Sequence, residues 1–446
     1  MPFTRRNLLF SGLAGAATGL MASTRAFGQR LRALGASGPP PKPLRARRAT
    51  GRAPVITPNG TTLPFRMAGG VKEFHLIAEP VRREFTPGLE VNCWGYNGIT
   101  PGPTIEAFEG DRVRILVTNR LPEGTSVHWH GFILPNGMDG VSGLNQPKIM
   151  PGETYAYEFT LQQTGTLMYH PHFDEMTQIN LGMQGFFVIH PRDPDVRRVD
   201  RDFAIFLNEQ FIKPGTATPD PTVMLDFNTF TMNGRVFPGT EPMLVRTGDR
   251  VRIRLANLTM DSHPIHIHGH AMYVTGTDAG PIPETAWWPE NSVNVPVGTT
   301  RDVEFTADNP GDWAFHCHKS HHVMNQMGHD LPNLIGIDDT STQQRLDQLV
   351  PGTMIMGNTG MGEMADHQEM MAMPRNSIPM LGGRGPYGPI DMGGMFTLVK
   401  VRDDMDYDRD PGWYRQPAGT SAWRVDSMSA APKPEEHPPS HEGHER

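Results

Sequence analysis

The chain of 446 residues is long enough for two or three domains, and its 48 glycines and 42 prolines exclude a coiled coil or a simple helical bundle. The net charge of −8 is unevenly spread: residues 1–54 hold ten Lys/Arg and no acid, so 30 basic against 48 acidic residues leave 55–446 at −18. A body this acidic argues against nucleic acid as a partner and suits either cationic substrates and metal ions or simply a solvated surface.

At the N-terminus, Thr4-Arg5-Arg6-Asn7-Leu8-Leu9-Phe10 and the apolar run to about Ala22 read as a twin-arginine export signal over residues 1–28, with small residues for cleavage at Ala26-Phe27-Gly28. The run is too short and glycine-rich for a membrane span, and no other segment qualifies. The expected address is the periplasm or cell exterior. Residues 29–60 read as a Pro/Arg-rich linker. From about residue 61, short alternating runs such as Arg112-Val113-Arg114-Ile115-Leu116-Val117 read as strands between turns, so the fold class is all-β. Cys93 and Cys317 are the only cysteines; Cys93 reads as a small buried hydrophobe, and no disulfide framework is expected.

The two halves of this β region repeat. Gly110-Asp111-Arg112-Val113-Arg114-Ile115 recurs 138 residues on as Gly248-Asp249-Arg250-Val251-Arg252-Ile253, and the same offset lays His128-Trp129-His130-Gly131 on His266-Ile267-His268-Gly269. Glu158-Phe159-Thr160 recurs 146 residues on as Glu304-Phe305-Thr306, which lays His170-Pro171-His172 on His316-Cys317-His318. This places domain 1 at 61–195 and domain 2 at 196–340. In a strand, residues i and i+2 share a face, so each His-x-His pair presents two imidazoles to one cluster, four from each domain. Domain 2 alone adds His263, Cys317, His322 and Met327, where domain 1 has Thr125, Pro171, Met176 and Leu181. Two histidines, a thiolate and a weak axial thioether are the ligand set of a blue copper site. Zinc also suits imidazole, but needs neither duplicated pairs nor a Cys-His-Met set beside them.

These four motifs resemble those of the multicopper oxidases, over roughly residues 65–340. The resemblance implies two cupredoxin-like Greek-key sandwiches. It makes His263, Cys317, His322 and Met327 the type 1 ligands, gives His128 and His266 to type 2 copper, and gives His130, His170, His172, His268, His316 and His318 to the type 3 pair. It also implies four coppers per active unit and four one-electron oxidations of a donor coupled to reduction of dioxygen to water. The donors expected are phenols, aromatic amines, Cu(I) or Mn(II). The short spacing from His172 to His263 leaves no room for a middle domain. That resembles the two-domain oxidases, in which the trinuclear cluster forms between subunits of a homotrimer.

Gln326 replaces a common glycine of the family, and Val323 a common carboxylate. Proton delivery then falls to another acid: Asp139 matches the family acid near type 2 copper but also reads as an Asp-Gly turn, and Asp174 and Glu175 are weaker candidates. Cys317, His316, His318 and Asp139 are thus the expected catalytic residues. His270 and His321 read as outer-shell or surface groups, and His75, His190 and His329 as structural. Residues 341–405 read as a Met-rich extension, either a soft Cu(I) site or flexible packing. The tail 406–446, with His437, His441 and His444, reads as partly disordered. Two other functions stand against the oxidase: a copper-sequestering protein without turnover, and a copper nitrite reductase, which the full set of paired histidines disfavours.

Overall fold

The structure is a computed structural model and describes residues 52–326, 338, 340–349 and 375–424. The chain divides into two units, residues 1–44 and 45–446, and every described residue belongs to the second. The export signal, most of the 29–60 linker, Met327, His329, Met354 to Met373 and the three tail histidines lie outside the described residues.

Four main sheets carry the fold. The first contains Arg66–Ala68, Val71–Thr86, Leu89–Tyr96, Arg112–Asn119 and Thr154–Thr160, and the second contains Ile105–Phe108, Gly185–His190, Gly165–His170 and His128–His130. The third is eight-stranded, centred on Arg201–Gln210, Arg250–Asn257 and Thr299–Thr306. The fourth runs in the order Met243–Arg246, Phe396–Arg402, Gly311–Cys317, His263–Ile267 and Ser292–Val295.

Three apolar clusters join these sheets in sequence. Phe74, Ile115, Trp129 and Phe187 fill the space between the first and second sheets. Met168, Phe186 and Val188 pack on Ala204, Phe206 and Ala256, sealing the second sheet onto the third. Phe203, Val251, Phe305, Ile265, Phe315 and Val399 fill the space between the third and fourth. The all-β expectation holds, as a stack of four sheets.

Stacking explains a difference between the repeats. Arg112–Asn119 alternates exposed and buried positions, as a strand with one wet face should. In Arg250–Asn257 every residue after Arg250 is buried, because domain 1 covers the outer face. Arg252 and Arg254 are therefore buried too, and Asp202 and Glu304 pair with them at 2.7–3.3 Å. Burial pushes the Glu304 carboxyl up, but Arg252, Arg250 and Arg197 outweigh it and hold it below the usual range.

The structure corrects one boundary. Domain 2 does not end at 340, and residues 341–405 are not an appendage. Phe396–Arg402 is an inner strand of the fourth sheet, parallel to Met243–Arg246 and antiparallel to Gly311–Cys317. It holds the place that Gly185–His190 holds in domain 1, between Ile105–Phe108 and Gly165–His170. In sequence, the methionine-rich stretch therefore lies between two strands of this sheet, Gly311–Cys317 and Phe396–Arg402. A strand so far along the sequence leaves no local signal of its partner.

Candidate metal centre

Two antiparallel strands build the centre in domain 2. Ile265 pairs with Cys317 and His266 with His316, so side-chain alternation gives the two faces of this ribbon different jobs. The inner face presents His263 and Cys317 to the core, where the short helical turn Ser320–Val323 adds His322. All three are fully buried. His263 Nδ1 lies 3.0 Å from His322 Nδ1, and the two nitrogens lie 3.9 and 3.5 Å from Cys317 Sγ.

These three donors fit a soft, borderline cation. Burial pushes the Cys317 thiol up to about 12 and the imidazoles of His263 and His322 down to about 3 and about 2, so without a metal the trio is neutral. A thiophilic metal would expel the thiol proton and meet two imidazoles already deprotonated. The far edges of both rings are supported. Thr259 Oγ1 bonds His263 Nε2 at 2.9 Å, and Phe230 stacks on His322 at 4.1 Å between centroids. Glu209 Oε2 stands 3.7 Å from His263 Nε2, and Asp261 Oδ2 stands 3.6 Å from His322 Nε2. Burial and the nearby Asp261 raise Glu209 to about 7, while its Oε1 accepts the Met260 and Asp261 N–H groups at 2.9 Å each. Main-chain bonds from the returning strand lock the loop: Cys317 N–H donates to Met395 O, and Met395 N–H donates to His322 O, both at 3.0 Å.

The outer face of the ribbon gathers the second group. His268 and His316 approach to 3.1 Å through their Nε2 atoms, and His266 stacks edge-on against His316 and His318 at 5.6 and 5.4 Å. His268 and His318 are exposed. Domain 1 repeats the arrangement: His130 Nδ1 lies 3.2 Å from His170 Nε2, with His128 5.3 Å from His170 and 5.5 Å from His172. Carbonyl oxygens hold Nδ1 of His128, His170, His266 and His316 at 2.7–2.8 Å, which leaves each Nε2 for a metal. Among the described residues, the ring contacts and hydrogen bonds between the eight paired histidines stay within one domain's set. The sets lie on the second and fourth sheets.

Asp139 stands beside His128, its carbonyl at 2.8 Å and its carboxylate at 3.4 Å from Nδ1. The turn reading holds as well: Gly140 has φ +87, and a Cβ there would sit 1.7 Å from Val127 O. Glu175 meets His172 Nδ1 at 2.9 Å, whereas Asp174 stands at the N-cap position of the short helix Glu175–Asn180 without a side-chain capping bond. Where domain 2 has its buried trio, domain 1 has Thr125 bonded to Gln178 at 2.7 Å, and Gln178 bonded to Glu123 and Gly124. His270 bonds the His268 carbonyl, His190 bonds Glu106, and Cys93 is buried. Thr259, Glu209 and Asp261 escaped the sequence reading. Glu209 closing the apolar run Ala204–Leu207 was the one available signal.

Residues 78–194 and 213–334 match two family models, both described as multicopper oxidase, and together they cover more than half of the chain. The chain belongs to the multicopper oxidases. Copper and oxidoreductase chemistry follow from that family. It is 31% identical to Copper resistance protein A of Escherichia coli over 240 residues, covering 43% of this chain and 39% of that one. It is 31% identical to Laccase-2 of Botryotinia fuckeliana over 323 residues, covering 64% and 51%. The blue copper oxidase of Nitrosomonas europaea superposes with a TM-score of 0.55 at 25% identity, covering 74% of this chain and 85% of that chain. The chain spans between about a fifth and a half of the curated relatives it matches. No helix among the described residues is long and apolar enough to cross a membrane.

Proposed function

We propose that this multicopper oxidase takes electrons one at a time from a donor at the buried trio and passes them to dioxygen at the paired histidines. His263, Cys317 and His322, together with Met327, would hold type 1 copper. His128 and His266 hold type 2, and His130, His170, His172, His268, His316 and His318 hold type 3, four coppers per active unit. The bound metals supply the one-electron steps and the reduction of dioxygen to water. The protein's own part is positional. Cys317 faces inward while its neighbours His316 and His318 face outward, so a few covalent bonds join the two centres. Asp139, beside His128, is placed to hand on protons.

The reading rests on two sets of four paired histidines that lie on separate sheets of one chain. A complete cluster then needs domain 1 of one chain against domain 2 of the next, and a closed ring satisfies every half-site. We infer a homotrimer. Export through the twin-arginine route to the periplasm or beyond agrees with the first 28 residues.

The donors are phenols, aromatic amines, Cu(I) or Mn(II). The Met-rich stretch favours Cu(I). The described residues bounding it meet beside the trio: Asn325 N–H donates to Met380 O at 2.8 Å, and Ile378 N–H to Gln326 Oε1 at 3.0 Å. The likeness to copper resistance proteins supports a second reading, copper binding without turnover. Oxygen uptake by the copper-loaded protein with Cu(I), Mn(II) and a dimethoxyphenol separates the two, since a sequestering protein consumes none. Cys317→Ser should abolish the intense blue absorption and remove one copper per chain while the cluster stays loaded. Loss of all copper would argue against two separable centres.

A further inference from the structure

A cavity of about 530 Å³ lies between the domains. His128, His130, His170 and His172 line it from domain 1, and Glu209 and Thr259 from the support of the buried trio. Three methionines from three separate segments also line it: Met176 on the short helix, Met224 in the 211–228 loop, and Met260 beside Thr259. All three are unusually open, at 48%, 37% and 56% exposure, although methionine belongs among the commonly buried residues. Only Met67 and Met150 are comparably exposed large methionines among the described residues. Three of the five exposed methionines among the described residues thus line one cavity together with four imidazoles.

That order of ligands has a chemical meaning. Thioether sulfur is a neutral, soft donor that selects Cu(I) over Zn(II), Ca(II) or Mg(II), whereas imidazole holds copper in either oxidation state. The methionines are open to solvent while His170 is 5% exposed, so soft, weak donors meet an entering ion before the strong one. Methionine's flexible chain lets the sulfur follow an ion through a change of ligands. Met176 has a further peculiarity. It occupies the repeat position of the type 1 ligand His322, yet it points out to the opening instead of into the core.

We propose that Met176, Met224 and Met260 form an acceptor site for Cu(I), from which the ion passes by ligand exchange to the domain 1 histidines. No electron moves in this step, and only sulfur–copper bonds give way to nitrogen–copper bonds. The proposal rests on the reading that these histidines hold copper in the working oxidase.

The test uses the full copper-free chain, kept anaerobic, with Cu(I) presented as its bicinchoninate complex. X-ray absorption of samples frozen early, at half an equivalent per chain, should show a sulfur shell that gives way to a nitrogen shell. The triple variant Met176→Leu, Met224→Leu, Met260→Leu should lose the early sulfur shell and load the cluster about 10-fold more slowly. Its final copper content should be unchanged. The single variants give intermediate rates if the triple variant folds poorly. Parent and triple variant are both compared in a full-length background with leucine at the seven methionines from Met354 to Met373, so that those sulfurs add nothing to the shell. Equal loading and an equal sulfur shell in parent and triple variant overturn the acceptor site. So does the absence of any early sulfur shell in that background when Met176, Met224 and Met260 are intact. A parent that never loads copper onto nitrogen overturns the functional reading itself, and the final copper content reports that separately.

Discussion

Glu209 shows how a single side chain serves the buried trio without being a ligand. It accepts the N–H groups of Met260 and Asp261 and so ties down the turn that leads into His263. Replacing it with alanine leaves two part-buried amide donors without their acceptor, at about 1–3 kcal/mol for each group left unsatisfied. Glu209→Ala should therefore lower the unfolding free energy by about 2 kcal/mol or more and broaden the blue absorption, measured by urea titration and visible spectroscopy. Unchanged stability would mean that water replaces the carboxylate. The imidazoles have their own pH signature. Burial holds His170, His263 and His322 at about 3, about 3 and about 2, below the ordinary histidine value near 6.5. Between these limits the unfolded chain binds protons that the folded chain refuses, so stability falls as pH drops. The urea midpoint of the copper-free protein should decline from about pH 6.5 towards pH 3. A flat profile over that window would contradict the burial of these rings.

At the scale of elements, the strand Phe396–Arg402 matters most. It fills the gap between Met243–Arg246 and Gly311–Cys317, and Met395, Phe396, Val399 and Val401 are all buried. Burying a large apolar side chain is worth about 1.5–3 kcal/mol, so these four approach the ~5–15 kcal/mol total stability of an ordinary domain. A chain cut after residue 340 should give a domain 2 without cooperative unfolding or near-ultraviolet circular dichroism, while domain 1 keeps its own. A cut chain with an intact blue centre would disprove the role of this strand. The repeat teaches the complementary lesson. Arg114 with Glu158, and Arg252 with Glu304, are the same pair in the same register, at 2.6 and 2.7 Å. The first is partly exposed and the second is buried under domain 1, so one motif carries two energetic roles.

At the scale of the whole molecule, the two histidine sets lie on separate sheets, and the proposed reading closes each cluster between two chains. Mixing experiments test this directly. A chain with His128→Ala and His130→Ala, and a chain with His316→Ala and His318→Ala, should each consume no oxygen. Refolded together and loaded with copper, they should recover part of the parent's oxygen uptake, because one interface in the mixed ring joins an intact domain 1 to an intact domain 2. Light scattering should give three chains per particle. No recovery from an otherwise folded mixed trimer would place the cluster within a chain.

Much of this chemistry was legible in the sequence because it depends on short spacings. Strand alternation places His-x-His on one face, and Cys317 between His316 and His318 faces the other way, whatever the rest of the fold does. Comparison of the two repeats also separated the domain with the buried trio from the domain without it. The tertiary structure alone decided what depends on distant partners. It joined Phe396–Arg402 to a sheet begun 150 residues earlier, buried Arg252 and Arg254 by laying domain 1 across them, and set Glu209 and Thr259 behind His263. It also set the two histidine groups on separate sheets. Local periodicity fixes which way a side chain points, but only packing decides what it meets.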